Sequence, residues 1–559
     1  MKVTSGRCKG DGARFSEAVE AAGHGKFQYL AFITAGLVYF TSGMESGINA
    51  YILPSVKCAF QLSDSQMGIL NALFLGGGAL AAHLWGALSD AYGRRLVLVC
   101  TALLDAVCIV ASTFATSYSL FAVLRLFAGM LNMAPAGLSF LYLGEFIGDK
   151  RRSSYAQAMG TMWIASWILL PGLAWVIIPQ PWSVDVLGVR LESWRLFMGL
   201  LLVPNLVAAS LAFYMPETPK YLQAAGREDD ALRVYRRIYA TNTGDHPDNY
   251  PIKRLRLPVA AAAASSAHGK DVLHVLARTV RLSSELIRPP VLYRTALCCV
   301  IYFCSMFVMY GFGYWLPELL SRFQMHSNAH PGERHYVCDV ILAAETGSNS
   351  TLELGGNTNC GDSSVVDPSA FLNTAIVNCA SMGINLISTV STGYVGRRTL
   401  SAAANLMAGL VGFGLFWASA TMEVVAVAIF FNAMAETGCI GINTMVVDIF
   451  PSRVSGVGVA SVMLSGRLGG SVGNLAMGYL LEHSCVLPLT LLFGTAIVCG
   501  VLCCLAHRRY AEDDDKVPAA QGEQTMANKT KEDVVVVLKA PAQTQAAVQE
   551  LPALQANHI

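Results

Sequence analysis

The chain has 559 residues, of which 54% are hydrophobic and 14% are charged, and its formal net charge is +1. A soluble domain usually carries about 25% charged residues, so this composition indicates a membrane protein. The basic residues are scattered among loops instead of forming one patch, which argues against a nucleic-acid partner. We therefore expect the lipid bilayer to be the environment of the chain.

Twelve segments are long and apolar enough to cross a hydrocarbon core about 30 Å thick at a rise of about 1.5 Å per residue. They are apolar all round, whereas a helix of a soluble protein needs only one apolar stripe. The predicted spans, numbered 1 to 12, are 27–54, 66–86, 95–116, 118–142, 153–178, 194–214, 292–319, 370–393, 399–418, 422–446, 457–481 and 486–506. The sequence thus predicts an all-α membrane protein with twelve transmembrane helices.

Lysine and arginine are concentrated in the loops on one side of these spans, the side that normally faces the cytosol. Lys57 and Arg190 are exceptions on the other side. Both termini are therefore expected in the cytosol. The predicted organisation is a cytosolic N-terminal segment at 1–26, a six-helix bundle at 27–215, a cytosolic linker at 216–290, a second six-helix bundle at 291–506 with an extracytoplasmic loop at 321–368, and a disordered cytosolic tail at 507–559.

The two bundles repeat each other. A Gly-Arg-Arg triplet follows span 2 at Gly93–Arg95 and recurs after span 8 at Gly396–Arg398. An acidic residue ends span 4 at Glu145, and another ends span 10 at Asp448. Internal repeats around a site near the membrane midplane are typical of secondary transporters, so the sequence predicts transport of a small solute.

Several motifs resemble a known family. The segment from Gly86 to Arg95, which includes Asp90, Gly93 and Arg94, resembles the signature loop of the major facilitator superfamily. Arg125, the pair Glu145 and Arg152, and the segment Pro216–Lys220 resemble the sugar and organic-ion porter branch. Finer matches, among them Gly25–Gln28, Met44 with Glu45 and the enlarged loop between spans 7 and 8, resemble the synaptic vesicle glycoprotein 2 group.

This resemblance implies the major facilitator fold and solute movement by alternating access. It also implies an alternative: a transporter-like vesicle glycoprotein that does not transport and acts through partners of its luminal loop and cytosolic termini. The membrane would be the plasma membrane or that of a secretory or synaptic-type vesicle. Substrate, coupling ion and oligomeric state stay open.

The chain departs from the family pattern at four positions, of which Lys220 keeps the charge of the arginine it replaces. Gly393 replaces an acidic residue before the second Gly-Arg-Arg triplet, and Ser455 replaces an arginine after span 10. Ser42 stands where the vesicle glycoprotein group usually has aspartate. The second bundle has therefore lost the charges that the first one keeps.

Charged residues at the cytosolic ends of the first bundle could form one network. We name Asp90, Arg94, Glu145, Arg152 and Glu217 the first-half charge network, with Gly86, Gly93 and Arg95 in the same loop. Such pairs could join the two bundles in one conformation and separate in the other, a difference of a few kcal/mol. The alternative is that these charges are solvated and only set the topology.

Four ionisable residues are predicted within the membrane, where each costs a few kcal/mol and is therefore a candidate for function. Glu45, Asp105 and Glu436 could carry a coupling proton or bind a cationic group, and Arg125 could contact substrate. The structural alternative is an interior pair in which Arg125 neutralises one acid. Arg467, nearer the cytosolic end of span 11, is expected to be structural.

Aromatic residues in spans 5 and 7 could line a central cavity. Trp163 and Tyr310 are the candidates, whereas Trp315 is expected in the aromatic belt at the membrane interface. Trp and Tyr beside an acid suit an organic cation, although a zwitterion or a sugar stays open as the solute.

The loop at 321–368 carries a glycosylation acceptor at Asn349 and two cysteines, Cys338 and Cys360, that could form a disulfide. Cys58 and Cys485 lie in loops of the same face, so the connectivity stays open. The sequence has no phosphate-binding loop of the form GxxxxGK[ST], no metal-ligand spacing and no nucleophile elbow. It therefore predicts no enzyme activity, no cofactor and no metal.

Overall fold

A computed structural model describes residues 13–255, 286, 288–289, 291–330, 335–341, 367–391, 396–450 and 455–505. Asn349, Cys360, Gly393, the tail at 507–559 and much of the linker and of the loop at 321–368 lie outside the described residues. The side chains of Arg397, Asp448 and Ser455 lie outside the description too.

The first half of the chain forms long helices with a small hairpin. The helices are α1 (Phe15–Ala21), α2 (Lys26–Phe60), α3 (Asp64–Tyr92), α4 (Arg94–Thr113), α5 (Tyr118–Gly144), α6 (Asp149–Ile177), α7 (Ser193–Leu200), α8 (Leu202–Tyr214), α9 (Pro219–Ala224) and α10 (Glu228–Thr243). Strands β1 (Ser183–Val186) and β2 (Val189–Glu192) pair antiparallel between α6 and α7. Span 1 was predicted to end at Pro54, but α2 continues through this proline to Phe60, where Gln61 adopts a left-handed conformation.

The second half begins its helices at Val291. They are α11 (Val291–Gly313), α12 (Leu316–Ala329), α13 (Pro368–Ser391), α14 (Arg397–Gly412), α15 (Thr421–Ile449), α16 (Ser455–Leu481) and α17 (Val486–Leu505). Two predicted spans are each built from two helices: span 6 breaks at Leu201 and span 7 breaks at Tyr314 and Trp315.

Ten stretches of the described chain are long and apolar enough to cross a membrane. The two long helices that are not among them, α2 and α16, complete the twelve. Both carry many glycine, serine and other polar residues, and α2 buries Ser42, Glu45 and Asn49. Helices of this composition fit an interior position, because polar side chains facing lipid tails would be costly. The fold is an all-α membrane protein of twelve spans.

Glycines allow close contact inside each half. A β-carbon at Gly129 of α5 would overlap the backbone of Phe74 in α3. A β-carbon at Gly469 or Gly473 of α16 would overlap the backbone of Phe303 or Phe307 in α11. These contacts follow the small-xxx-small rule for membrane helices, in which backbones approach where side chains are absent.

The two halves meet mainly along α3 against α16 and along α6 against α13. Their backbones approach closely around Gly68, where a β-carbon would lie 2.6 Å from the carbonyl oxygen of Asn474 and 2.9 Å from the α-carbon of Gly478. We name the end of the bundle near Gly93–Arg95 and Lys150 the basic face, and the end near Lys57, Asp64 and Cys485 the opposite face. The predicted orientation puts the basic face in the cytosol.

A layer of polar structure covers the first half at the basic face. The Asn242 side chain in α10 accepts a hydrogen bond from the amide of Phe27 at 3.0 Å and donates to the carbonyl oxygen of Gly23 at 3.1 Å. The Tyr250 hydroxyl donates to the carbonyl oxygen of Ala18 at 2.7 Å. The N-terminal segment and the first part of the linker therefore fold together, which the sequence analysis did not predict.

Candidate substrate and gating sites

A buried ion pair joins α2 to α5 in the first half. Nη1 of Arg125 lies 2.6 Å from Oε1 of Glu45, and Nη2 donates to the Glu45 carbonyl oxygen at 3.4 Å. Both side chains are almost completely buried, and the guanidinium lies 5.1 Å from the centre of the Phe74 ring. This is the interior pair that the sequence analysis kept as the structural alternative for Arg125. A pair formed in one conformation can still exchange partners in another.

Asp105 lies near this pair. Its Oδ2 accepts a hydrogen bond from the Asn205 side chain of α8 at 2.9 Å, while Oδ1 has no hydrogen-bond partner among the described residues. Asp105 and Glu45 both line a small cavity with a volume of about 10 Å³ between α2, α4 and α8. Two carboxyl groups therefore line one buried cavity, and among the described residues Arg125 pairs with Glu45 and not with Asp105.

Residue 42, where the resemblance to the vesicle glycoprotein group implies an aspartate, is a neutral serine. The Ser42 hydroxyl hydrogen-bonds the side-chain carbonyl of Asn132, whose amide group donates to the backbone carbonyl of Ser42 at 3.0 Å. Two uncharged groups thus satisfy each other between α2 and α5. Because Ser42 and Asn132 bond to each other, neither needs a charged group at residue 42 as its partner.

Glu436 lies apart from the first-half acids. It accepts a hydrogen bond from the Asn385 side chain of α13, whose oxygen accepts from the Thr437 hydroxyl at 2.6 Å. The structure therefore brings together three of the predicted intramembrane residues, Glu45, Asp105 and Arg125, and places Glu436 in a separate polar cluster of the second half.

The aromatic candidates lie on both sides of the boundary between the halves. The Trp163 ring lies 5.1 Å from the ring of Tyr39, and the Tyr310 ring lies 5.2 Å from that of Tyr314. Trp163 and Tyr39 are half-buried, as expected for residues that face a cavity. Trp315, expected at the membrane interface, is fully buried, because the chain turns between α11 and α12 and directs this residue into the core.

The first-half charge network comes together at the basic face, and all its described partners belong to the first half. Arg94 lies 2.8 Å from Asp90 and 3.7 Å from the buried Glu145. Glu217 accepts hydrogen bonds from the backbone amides of Arg94 and Arg95 at 3.0 and 3.1 Å. Because Glu217 fills the space beside Gly93, whose φ is +105°, a side chain at residue 93 would collide with it.

Arg152 is less tightly held than the rest of this network. It lies 3.9 Å from the exposed Asp149, and its guanidinium is near Gly144, where a β-carbon would lie 3.1 Å from Nε. Gly86 has open space around its α-carbon. How the network meets the second half stays a prediction.

A second set of charges, not predicted from the sequence, joins the halves at the opposite face. We name Lys57, Asp64, Glu318 and Arg322 the opposite-face cluster. Arg322 of α12 binds both carboxylate oxygens of Asp64 at 2.8 and 2.5 Å, and its Nε donates to Glu318 at 2.8 Å. Lys57 lies 3.1 Å from Asp64 and 3.8 Å from Glu318. The one signal in the sequence was Lys57, an exception to the charge bias.

Other hydrogen bonds between the halves lie toward the same end. Glu482 accepts from the amide and hydroxyl of Ser65 at 2.8 and 2.6 Å, at the N-terminus of α3. The Tyr314 hydroxyl donates to the carbonyl oxygen of Ser46 at 2.5 Å. The Ser471 hydroxyl donates to the carbonyl oxygen of Ala72 at 2.9 Å, nearer the middle of the helices. Within the described chain, no such bond between the halves lies on the basic-face side of Ser471.

The sequence left the disulfide connectivity open, and the structure does not contain the possible Cys338–Cys360 pair. Cys338 is bonded to Cys485, which lies between α16 and α17, and their α-carbons are 5.3 Å apart. A cysteine forms one disulfide, so Cys338 is not paired with Cys360 in this structure. The sequence could not identify the partner, because the loop that carries Cys338 folds back onto the end of α16, 147 residues away.

Twelve spans in two packed halves, with ionisable groups buried near the boundary between them, define the class of multi-pass solute carriers. The family model described as the Major Facilitator Superfamily matches residues 35–332 and 370–550. The chain belongs to this superfamily, as the motifs of the sequence implied.

Curated relatives agree with the finer resemblance. Human synaptic vesicle glycoprotein 2B is 25% identical over 326 residues, which cover 56% of this chain and 48% of that protein. Mouse synaptic vesicle glycoprotein 2C is 21% identical over 575 residues, 87% of this chain and 79% of that protein. The chain thus spans about half the length of the first of these relatives.

Solved structures share the fold. The inward-open xylose transporter XylE from E. coli has a TM-score of 0.60 and 15% identity, covering 87% of this chain and 98% of that one. The nucleoside transporter NupG has a TM-score of 0.55 and 10% identity, and the match covers 86% of this chain and 100% of NupG.

Proposed function

We propose that the protein is a secondary active transporter that moves a small organic solute by alternating access. The observation that carries this proposal is the uneven distribution of bonds between the two halves. In the described chain these bonds lie between the middle of the helices and the opposite face. A protein held together at one end only can open there if the bonds break and others form at the basic face.

The groups that hold the opposite face together suit such a change. Arg322 and Asp64 form a buried, bidentate ion pair, which is strong when made but leaves each partner able to pair again with water when exposed. In the other conformation, the first-half charge network would contact the second half at the basic face. The two sets of charges would then be made and broken in turn.

A coupling proton fits the buried group of Glu45, Asp105 and Arg125. Two ionised carboxylates beside one guanidinium leave one uncompensated charge, which costs several kcal/mol in a buried site. A proton on one acid removes this cost. We propose that the site exchanges this proton as solute binds and leaves, and that the coupling needs both acids: Asp105 holds the proton while Glu45 is paired with Arg125.

The test is uptake into proteoliposomes that contain the purified full chain, with an imposed pH gradient. The probes are labelled organic cations, sugars and carboxylates. Glu45→Gln should lose gradient-driven uptake but retain exchange of solute at equal pH, because exchange needs no net proton movement. Asp185→Asn, which removes an exposed acid of the β1–β2 hairpin, is the matched control and should keep both activities.

A second candidate is favoured by the similarity to synaptic vesicle glycoproteins. In this alternative the chain resides in a vesicle membrane and acts by binding proteins through the loop at 321–368 or its termini. Absence of uptake and of exchange for every probe, together with specific capture of a partner by that loop or by the tail at 507–559, would replace the transport proposal with this one.

A further inference from the structure

Arg467 lies on α16 where the two halves separate. Gly470 and Ser471, one turn farther along the helix, contact Leu75 and Ala72 of α3 in the first half. Residues three and four positions apart lie on the same side of a helix. Arg467 therefore faces the boundary between the halves. It lies one helical turn closer to the basic face than the hydrogen bond between Ser471 and Ala72.

Tyrosine rings pack against α16 on both sides of Arg467: a β-carbon on Gly466 would overlap the ring of Tyr302, and one on Gly470 would lie 2.9 Å from the ring of Tyr310. Tyr314 and Tyr39 also interact electrostatically with Arg467. Tyr302 and Tyr310 belong to α11 of the second half, Tyr314 follows directly after that helix, and Tyr39 comes from α2 in the first half. Tyrosine hydroxyls can donate hydrogen bonds as well as accept them. Together with the guanidinium they form a set of donors that spans the boundary.

No carboxylate of the described residues forms an ion pair with Arg467. The nearby acid of the first half, Glu45, is paired with Arg125, and Glu436 is bonded to Asn385. Arg467 is partly buried, whereas Arg125 is fully buried. An arginine deep in a membrane protein without a counter-ion is costly, so a bound anion would be favoured at this point.

The rings beside Arg467 provide an apolar wall for the rest of a ligand. Tyr39 lies between the rings of Phe140 and Trp163, whose centres are 4.8 and 5.1 Å from its own. These residues belong to α2, α5 and α6, and Trp163 is half-buried. A planar or hydrophobic group could therefore pack on the first half while its charged end contacts the second half.

We propose that Arg467, with Tyr39 and Tyr310, forms an anion-binding site between the halves, and that the solute of the proposed transporter is an organic carboxylate. Arginine suits this role because its planar donors match a carboxylate with two parallel hydrogen bonds. A ligand held by both Tyr39 and Arg467 would draw the halves together at the level where they separate. This inference names the substrate class and so rests on the proposed function.

Thermal unfolding of the detergent-purified full chain tests binding without requiring transport. The probes are benzoate and cyclohexanecarboxylate, each compared with its uncharged amide. The carboxylates should raise Tm in a concentration-dependent way, and the amides should not. Arg467→Gln should weaken the apparent carboxylate affinity about 10- to 100-fold, the range expected for a charge-assisted contact. Arg467→Lys, which keeps the charge, should retain part of the carboxylate affinity.

Two further variants control for folding. Arg190→Gln removes an exposed charge from β2 and should leave the carboxylate response unchanged. Tyr39→Phe keeps the ring packing and should reduce affinity by a smaller factor than Arg467→Gln. Equal responses to the acid and its amide, or an unchanged carboxylate affinity in both Arg467 variants, would overturn the anion site.

The outcomes separate this inference from the transport proposal. Carboxylate binding that depends on Arg467, without uptake or exchange in proteoliposomes, would support the site and contradict transport. Uptake of a cation or an uncharged sugar, with no carboxylate response, would support transport and overturn the anion site.

Discussion

Arg322 donates to both carboxylate oxygens of Asp64, at 2.8 and 2.5 Å, although the two residues are 258 positions apart. Arg322 belongs to the second half of the protein, and Asp64 begins α3 in the first half. Both side chains are almost fully buried, with 4% and 2% of their surface exposed. The pair therefore closes the opposite face through a bond that water cannot easily replace while the face stays closed.

Removing the cation of this pair should open the opposite face. Arg322→Met leaves Asp64 with Lys57 alone, and loss of one partner from a buried pair costs about 3–5 kcal/mol. The closed population should fall about a hundredfold or more relative to the open one. The distance between spin labels on unnatural side chains at positions 61 and 483, both exposed, reports this change.

Arg190→Met is the control for this experiment, because residue 190 is exposed and belongs to the β1–β2 hairpin. An unchanged distance distribution in Arg322→Met would show that the ion pair does not hold the face closed.

The contact between Gly68 and Gly478 gives a second, uncharged test. A β-carbon on Gly68 would lie 2.6 Å from the Asn474 carbonyl oxygen, so Gly68→Ala should prevent full closure and cost about 1–3 kcal/mol. Gly172→Ala is the matched control in α6, where a β-carbon meets nothing within 4 Å. It should stabilise the helix by up to about 1 kcal/mol. Tm measured in detergent should shift in opposite directions for the two variants.

Closure of the opposite face should depend on pH through Glu482. Burial alone would raise the pKa of this carboxyl, but hydrogen bonds from the hydroxyl and amide of Ser65 outweigh burial and lower it. A lowered pKa in the closed form means that the open form binds the proton more readily. The contribution of Glu482 to closure is thus complete above its ordinary value of 4.5 and is lost as the pH falls through its lowered value.

The 61–483 label distance measured from pH 7 down to pH 3 checks this expectation. Glu482→Gln should remove the part of the pH dependence that this group causes. A profile identical to that of the unmodified protein would assign the dependence to other groups.

The disulfide between Cys338 and Cys485 should be found by mass spectrometry of peptides from protein kept under non-reducing conditions. Reduction, or Cys485→Ser, should lower stability by about 2–5 kcal/mol, because the bond closes a long loop of the second half. Cys58→Ser is the control, since Cys58 lies near the same face and takes no part in the Cys338–Cys485 bond. Recovery of a Cys338–Cys360 peptide instead would contradict the connectivity seen here.

The gating charges show what sequence patterns could and could not locate. Asp90, Arg94 and Glu145 were identified because they belong to motifs that resemble those of a known family, and they do lie together. Asp64 and Arg322 belong to no local pattern. Asp64 follows Ser63, whose side chain caps α3 together with Gln66, so its local role was already explained by helix capping. Only the fold brings Arg322 to it.

Arg467 is a second residue whose role the sequence alone could not indicate. Its sequence position, near the predicted cytosolic end of span 11, suggested a structural role. The structure adds that its neighbours are tyrosines and that the acids near it are already paired. Whether a buried charge has a partner depends on which helices are adjacent, and hydropathy along one helix contains no information about that.

The twelve-helix bundle was determined by the sequence alone, because an apolar segment of about 20 residues has few options other than crossing a bilayer as a helix. The Gly-Arg-Arg triplets and the buried acids were equally visible, since charge within or between apolar segments stands out locally. The partners of Glu45, Asp64, Cys338 and Arg467 were decided by the tertiary structure, because pairing between distant helices depends on their packing, register and rotation about their axes.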